Sequence, residues 1–274
     1  MLAIVAAVRE EMAPLLRAGE FSEEQGPGEA LLYRGEILPG NPALILISGI
    51  GQSRAEETTG WLVRNHRPDL VIGVGFAGAT HDALDAGTVV IATSVSLIEG
   101  TPLDWSLGAD VQTFESDPAF AAVARMAVEI AGIDFVQGPS ITVPIIARSP
   151  GMKKWLGARF GVYSVDLESY WVARATIAAG MPFLGVRVIV DSTDMTLPGL
   201  VTEMPGAPTG GRTARVIRYA ARDPRRIVEL TRLGRASGRA ARQLGLFLTA
   251  FAKENSSPGE IASEITGESK GTAA

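Results

Sequence analysis

Apolar positions along the chain follow two rhythms. Unbroken apolar runs of the kind used by buried strands occupy residues 2–8, 43–48, 69–74, 87–97, 135–146 and 182–190. Between them, apolar residues spaced three and four apart predict helices over 10–18, 53–66, 117–131, 150–158 and 168–179. Asp117 before Pro118 predicts an N-cap, and Gly180 before Pro182 predicts a stop. Strands alternating with helices predict an α/β fold in which a mixed central sheet is covered by helices on both faces. After Pro198 the rhythm changes. The stretch "GLVTEMPGAPTGG" reads as a loop, helices follow over 212–222 and 224–252 with a break at "DPRR", and the small, polar residues of 254–274 read as disordered. The expected organisation is an α/β domain over 1–198, a helical extension of the same domain over 199–253, and a tail over 254–274.

Composition narrows the chemistry. A chain of 274 residues, 46% apolar and 20% charged, is ordinary for a globular protein and long enough to bury a full core. With no cysteine, disulfide and thiolate chemistry are excluded, and only His66 and His81 remain as imidazoles, so zinc and serine-triad readings start weak. The opening "MLAIVAAV" has no basic leader and runs into "REEM", so it reads as a first strand. No apolar stretch approaches the roughly 20 residues that span a bilayer, so a cytoplasmic location is expected. The net charge of −5 conceals an asymmetry: between Arg212 and Arg242 there are ten arginines against Asp223 and Glu229, a basic arm on an acidic body.

Two glycine motifs follow strands. Gly73-Val74-Gly75-Phe76-Ala77-Gly78 has the GxGxxG spacing of a dinucleotide fingerprint, but only nine residues separate Gly78 from the next strand, too few for a crossover helix. The motif reads instead as a glycine-lined strand end, either a ligand edge or a tight turn. In "SGIGQSRAEE", Gly49 and Gly51 allow a sharp turn into a helix, which either offers backbone N–H groups to an anion or a hydroxyl or is a plain connection.

The acids carry more information. In "VYSVDLESYWVARA", Asp166 and Glu168 lie two residues apart between a short strand and an apolar helix; either can cap that helix, or both can face a ligand. Asp191 ends the apolar run "FLGVRVIV", where a carboxylate is costly unless paired and where open α/β sheets bind ligands. Glu10 and Glu11 repeat the arrangement after the first strand.

The segments "AAVREEMAPLL", "SGIGQSRAEE", "GVGFAGATHDALDAGTVVIA", "VDLESYWVARA" and "FLGVRVIVDSTD" occur in the order and spacing of the nucleoside phosphorylase superfamily. Over about residues 1–195 the chain most resembles the methylthioadenosine/S-adenosylhomocysteine nucleosidase branch. The arginine-rich tail resembles that of hopanoid-associated members that remove adenine from adenosylhopane. The resemblance implies a phosphorylase/hydrolase-like three-layer fold and a nucleosidase that releases adenine from a 5′-modified nucleoside. It implies Asp191 as the acid that protonates the leaving base, Glu11 as the base acting on water, and Glu168 as the ribose anchor with Leu167 beneath the sugar and Asp166 beside it. Substrate-binding edges are implied at Ser48 and Gly49, at Gly75, Phe76, Ala77 and Gly78, and at Ile145 and Ile146. No metal or organic cofactor is required. A homodimer or larger assembly is implied, with the loop over 100–116 as a candidate contact.

The departures keep alternatives open. Phosphorylases of this superfamily hold phosphate with an arginine and a hydroxyl where this chain has Gly73 and Phe76; Arg9 and Arg54 lie near enough in sequence to substitute, so phosphorolysis stands as the alternative to hydrolysis. The residue that stacks on the base falls at Ile145 or Ile146, an aliphatic pocket. Trp105 reads either as a contact for the 5′ group or as a loop tryptophan packed on the core or at a subunit contact. In the tail, Ile227, Val228, Leu230, Leu233, Leu244, Phe247, Leu248 and Phe251 form a stripe flanked by arginines, suited to docking on the acidic body or to peripheral membrane contact with a lipid-linked substrate. Nucleic-acid binding is the rival from another class, opposed by the acidic body and by Tyr219 as the sole interleaved aromatic.

Overall fold

The computed structural model describes residues 1–106, 111–199 and 224–256. Ten strands form one mixed sheet: β1 (Leu2–Ala6), β2 (Glu20–Gln25), β3 (Leu31–Glu36), β4 (Pro42–Ile47), β5 (Leu70–Ala79), β6 (Val89–Ile98), β7 (Val111–Glu115), β8 (Phe135–Thr142), β9 (Ser164–Asp166) and β10 (Phe183–Asp191). Parallel β4, β1, β5 and β10 make its spine, with Ala3 opposite Leu44 and Val71 and Phe183 also opposite Val71. β5 pairs with β1 through its first half and with β9 at its end, while β10 runs beside it throughout. Further pairings join β10 to β6, β6 to β8 and β8 to β9, so β5, β10, β6, β8 and β9 close a ring of five strands at the end of β5. That closure makes the end of β5 a confined place.

The helices are α1 (Arg9–Ala18), α2 (Gln52–His66), α3 (Pro102–Ser106), α4 (Pro118–Ala131), α5 (Pro150–Phe160), α6 (Ser169–Ala178) and α7 (Pro224–Asn255). Strand residues alternate between two cores, as the period of two demands. Ile4, Ala6, Ala43, Ile45, Leu70 and Ile72 face a core shared with α1, α4 and α7; Ala3, Val5, Leu44, Leu46 and Val71 face one shared with α2 and α6. The expected three layers are present. Asp117 caps α4 through Ala119 N–H at 3.0 Å and Phe120 N–H at 3.2 Å, and Gly180 closes the turn after α6.

Several elements depart from the sequence expectations. β5 continues to Ala79, so the glycine motif lies inside a strand and not at its end, because β10 and β9 supply the hydrogen bonds that extend it. The run expected to continue to 146 stops at Thr142 in β8. β2, β3 and β7 escaped the hydrophobic pattern: β2 and β7 are edge strands, and "EFSEEQ" is polar on both faces because only β3 needs to bond to it. α3 also went unread. In α7, Leu244, Phe247, Leu248 and Phe251 are fully buried beside α1 and α4, which is the docking outcome for that part of the stripe; each such burial contributes roughly 1.5–3 kcal/mol. All but the first residue of the loop expected over 199–211, the helix over 212–222 and most of the tail over 254–274 lie outside the described residues.

Candidate active site

The closed end of the sheet holds a cavity of about 200 Å³. Its walls are chiefly apolar, from Val8, Ile50, Phe76, Val143, Leu167 and Leu197, and four carboxylic acids enter it: Glu11, Asp166, Glu168 and Asp191. β5 is the common ruler. Glu11 meets the backbone of Phe76 on this strand, and Asp191 is paired across from Gly78, two residues further on. At about 3.3 Å per residue, the two anchor points are about 7 Å apart.

Glu11 sits in the first turn of α1 and is buried. Its Oε2 accepts the N–H groups of Ala7 (2.9 Å) and Val8 (3.0 Å), and Oε1 accepts that of Phe76 (2.9 Å). The side chain reaches back as in a capping box, although Val8 has no oxygen with which to reciprocate. Burial pushes the Glu11 carboxyl above its ordinary value, while these backbone donors and Arg187 pull it back.

Asp166 and Glu168 divide the two duties that their spacing allowed. Asp166 performs the cap: Oδ1 accepts from the N–H of Glu168 (3.2 Å) and of Ser169 (3.1 Å) and from Thr142 Oγ1 (2.7 Å), and Oδ2 accepts from the Ser169 hydroxyl and from Arg187 Nε (2.5 Å). Glu168 is therefore free to face the cavity, with Oε1 accepting the N–H of Gly51 at 3.0 Å. The turn in "SGIG" does present a backbone N–H, and its acceptor is the protein's own Glu168. Gly51 has φ of 103°, a conformation only glycine adopts freely. Surrounded by protein, with Asp166 and Glu11 nearby, the Glu168 carboxyl is pushed up to about 8; desolvation is the largest cause, and Arg187 and Gly51 oppose it.

Arg187 lies in the middle of β10 and is buried, bonded to Asp166 and to Ser169 Oγ (2.7 Å). A Cβ at Gly75 would come within 2.3 Å of its guanidinium and 2.9 Å of Glu11 Oε1, so only glycine fits beneath this cluster. Three carboxylic acids thus surround one guanidinium.

Asp191 ends β10 just after a register shift between Ile189 and Asp191. The shift lets both Val190 and Asp191 face the cavity, which strict alternation forbids, and re-aiming a side chain is a common use of a bulge. Its Oδ2 accepts from Lys153 Nζ at 2.8 Å, with both side chains buried. Burial raises the Asp191 carboxyl above its ordinary value, and Lys153 partly offsets this.

Of the residues expected at the site, Glu11, Phe76, Ala77, Gly78, Ile146, Asp166, Leu167, Glu168 and Asp191 line the cavity. Ser48, Gly49, Gly75 and Ile145 do not. The Ser48 hydroxyl is turned to the carbonyls of Ala6 (3.2 Å) and Gly49 (2.9 Å), the Gly49 N–H is held by Ala7, Gly75 lies beneath Arg187, and Ile145 is exposed. Trp105 is core, 1% exposed among Ile98, Ile141 and Leu156, with its indole N–H bonded to Glu99. Neither arginine considered for phosphate faces the cavity: Arg54 pairs with Glu29 at 3.0 Å, and Arg9 lies over Tyr33. Sequence reasoning missed Arg187 and Lys153. A charge inside "FLGVRVIV" was a signal, because a buried guanidinium requires a counter-charge. Lys153, beside the exposed Lys154, looked like any solvated helix lysine.

The fold and the cavity define an α/β protein with a carboxylate-lined pocket for a small molecule at the closed end of a mixed sheet. The family model described as "Phosphorylase superfamily" matches residues 1–204, and the chain belongs to that family. It is 29% identical over 197 residues to 5′-methylthioadenosine/S-adenosylhomocysteine nucleosidase of Bacillus subtilis, covering 69% of this chain and 85% of that protein. Among solved structures it is similar to the nucleosidase of the same name from Neisseria meningitidis bound to methylthio-immucillin-A (TM-score 0.70, 21% identity, 92% of this chain and 98% of the other). The futalosine hydrolase of Helicobacter pylori shares the fold as well (TM-score 0.68, 18% identity, 92% and 97%).

Proposed function

We propose that the protein is a nucleosidase that hydrolyses the N-glycosidic bond of a 5′-modified adenine nucleoside and releases adenine. One observation carries the reading: Glu11 and Asp191 enter one apolar cavity from two points along β5, with Glu168 between the helices that frame it. Relatives such as the B. subtilis nucleosidase support the substrate class.

The chemistry follows from the two ends. Protonated Asp191 gives its proton to a ring nitrogen of the base as the bond from that base to C1′ breaks, and the bonding electron pair leaves with the base. The sugar becomes oxocarbenium-like. The carboxylates around Arg187 stabilise that positive charge, and burial makes them effective. Water adds to C1′ and its proton passes to Glu11; exchange with solvent then resets both acids. Glu168 anchors the ribose hydroxyls.

Phosphorolysis is the less supported reading. Phosphate would need positive or hydroxyl partners, but Phe76 occupies the hydroxyl position and Arg187 is committed to Asp166. The cavity wall includes Val8, Ile50 and Leu197, so an apolar 5′ substituent, methylthio or a larger lipid, suits it better than a zwitterionic one. A lipid-linked substrate gives the arginine-rich arm a purpose at an anionic membrane, with the enzyme otherwise cytoplasmic and at least dimeric, and residues 199–253 an extension of the catalytic domain. The test is adenine release from methylthioadenosine, S-adenosylhomocysteine and adenosylhopane, with and without phosphate. Phosphate-independent release that is lost in Asp191→Asn is expected; release only with phosphate would overturn hydrolysis, and no release from any of them would overturn the substrate class.

A further inference from the structure

Lys153 is the only fully buried lysine or arginine at 0% exposure among the described residues, and it lies on the buried face of α5 with Leu156 and Gly157. All three of its protons are used. Nζ donates to Asp191 Oδ2 at 2.8 Å, to the Met195 carbonyl at 2.7 Å and to the Ser192 carbonyl. The same loop is fastened again two residues on, where the Leu197 N–H donates to the Arg148 carbonyl at 3.1 Å and Arg148 Nε donates to the Leu197 carbonyl at 3.0 Å. Leu197 lines the cavity, so this part of the chain reaches both the acid and the wall.

A buried ammonium beside a proton donor has two effects that pull in opposite directions. It fixes the carboxyl in place, and it favours the ionised form that cannot donate. We propose that Lys153 is a positioning residue for the leaving-group end of the cavity: it holds Asp191 and the loop through Met195 as one unit, and it sets the highest pH at which Asp191 still carries a proton to give. The inference rests on the nucleosidase reading, in which Asp191 acts as the acid. Its electrostatic surroundings are simple. Asp194 on the same loop is exposed and bonded to Ser192 at 2.6 Å; Asp82 and Lys154 pair with each other at the surface; β5 presents Gly78. Glu11, Asp166, Glu168 and Arg187 gather at the other end. Lys153 is therefore the group whose loss changes the charge against Asp191.

The reaction needs the protonated acid, so activity declines as pH rises through the Asp191 midpoint, and removing the ammonium moves that decline upward. An opposite charge within hydrogen-bonding distance is worth about one to three pH units. The experiment is the pH profile of kcat/KM for adenine release by wild type, Lys153→Met, Lys153→Gln and Lys153→Arg, each first checked for cooperative unfolding. The alkaline limb is expected to move up by about one unit or more in Met and Gln, with kcat reduced, and to stay near the wild-type position in Arg. Reduced kcat with an unmoved limb in the neutral variants would overturn the proposal and leave Lys153 a structural residue. A second readout needs no turnover: carbon-13 NMR titration of aspartate carboxyls, with Asp191→Asn to assign the signal, in wild type and Lys153→Gln. A higher Asp191 midpoint in the variant is expected, and equal midpoints would overturn the proposal even if wild type released no adenine, a result that by itself would instead count against the nucleosidase reading.

Discussion

At the Glu11 end of the cavity three carboxylic acids share the guanidinium of Arg187, whereas at the Asp191 end one carboxyl has the ammonium of Lys153 to itself. Both ends are buried and both are expensive to form, because charges removed from water must be repaid by close partners. The difference lies in the balance. Burial and the excess of acid at the first end hold the Glu168 carboxyl above its ordinary value, and in the proposed reaction that excess becomes favourable when a positive sugar develops between its members. Matched charges at the second end hold a single carboxyl in a defined position, from which the proposed mechanism has it give a proton. The two ends of the cavity are thus built from different ratios of the same few side chains, as the proposed division between stabilising a cation and supplying a proton requires.

The strongest way to break the contrast is to neutralise one acid at each end. Asp191→Asn and Glu11→Gln are each expected to lower kcat for adenine release by about 10²–10⁴-fold, the range for a general acid or base. Single-turnover assays distinguish them: an analogue whose leaving group needs no protonation should recover most activity in Asp191→Asn and little in Glu11→Gln. Equal rescue of both would remove the division of labour.

Arg187→Met strips the first end of its cation. Three buried acids then face one another unpaired, and urea denaturation is expected to show a loss of about 3–5 kcal/mol. A loss below about 1 kcal/mol would mean that Asp166 and its hydrogen-bond partners carry the cluster without the guanidinium.

Glu168 gives a pH-dependent test of the same imbalance. Its folded-state value of about 8 lies above the ordinary 4.5, so between these limits the native protein holds a proton that the unfolded chain releases. Stability contributed by this group is complete below the lower limit and declines as pH rises toward the upper one, by up to about 1.4 kcal/mol per pH unit. Glu168→Gln has no such proton to lose. Its Tm is expected to vary less than that of wild type between about pH 5 and 8, and a slope identical to wild type would show that Glu168 is already ionised across that range.

The smallest effect concerns what enters between the two ends. Phe76→Ser restores a hydroxyl at the wall, and phosphate is then expected to stimulate adenine release by about two- to tenfold, the worth of one hydrogen bond. Absence of any phosphate effect would assign its exclusion to the acid excess and not to the Phe76 ring.

The periodicity of apolar residues was enough to define the spine. β1, β4, β5 and β10 are buried on both faces, so they are predominantly apolar, with Arg187 inside β10 as the exception, and that pattern is visible in the chain. The acids were legible for a related reason: Glu11, Glu168 and Asp191 stand where apolar runs end, and an acid there is conspicuous. The edge strands β2 and β7 were not legible, because an edge needs only one bonded neighbour and tolerates polar residues.

What the sequence determined by itself was therefore the alternation of elements, the absence of thiol chemistry and the identity of the acids. The tertiary structure decided how those acids are used. Asp166 caps α6 and binds Arg187 while Glu168 faces the cavity, a division that their two-residue spacing left open. It also decided that Lys153, one of two adjacent lysines, is buried against Asp191 while its neighbour is exposed. The reason is physical: burial and pairing belong to positions brought together from distant parts of the chain, and Lys153 and Asp191 are 38 residues apart. Local pattern reports which face of an element is apolar, and only closure of the sheet fixes which charge it meets there.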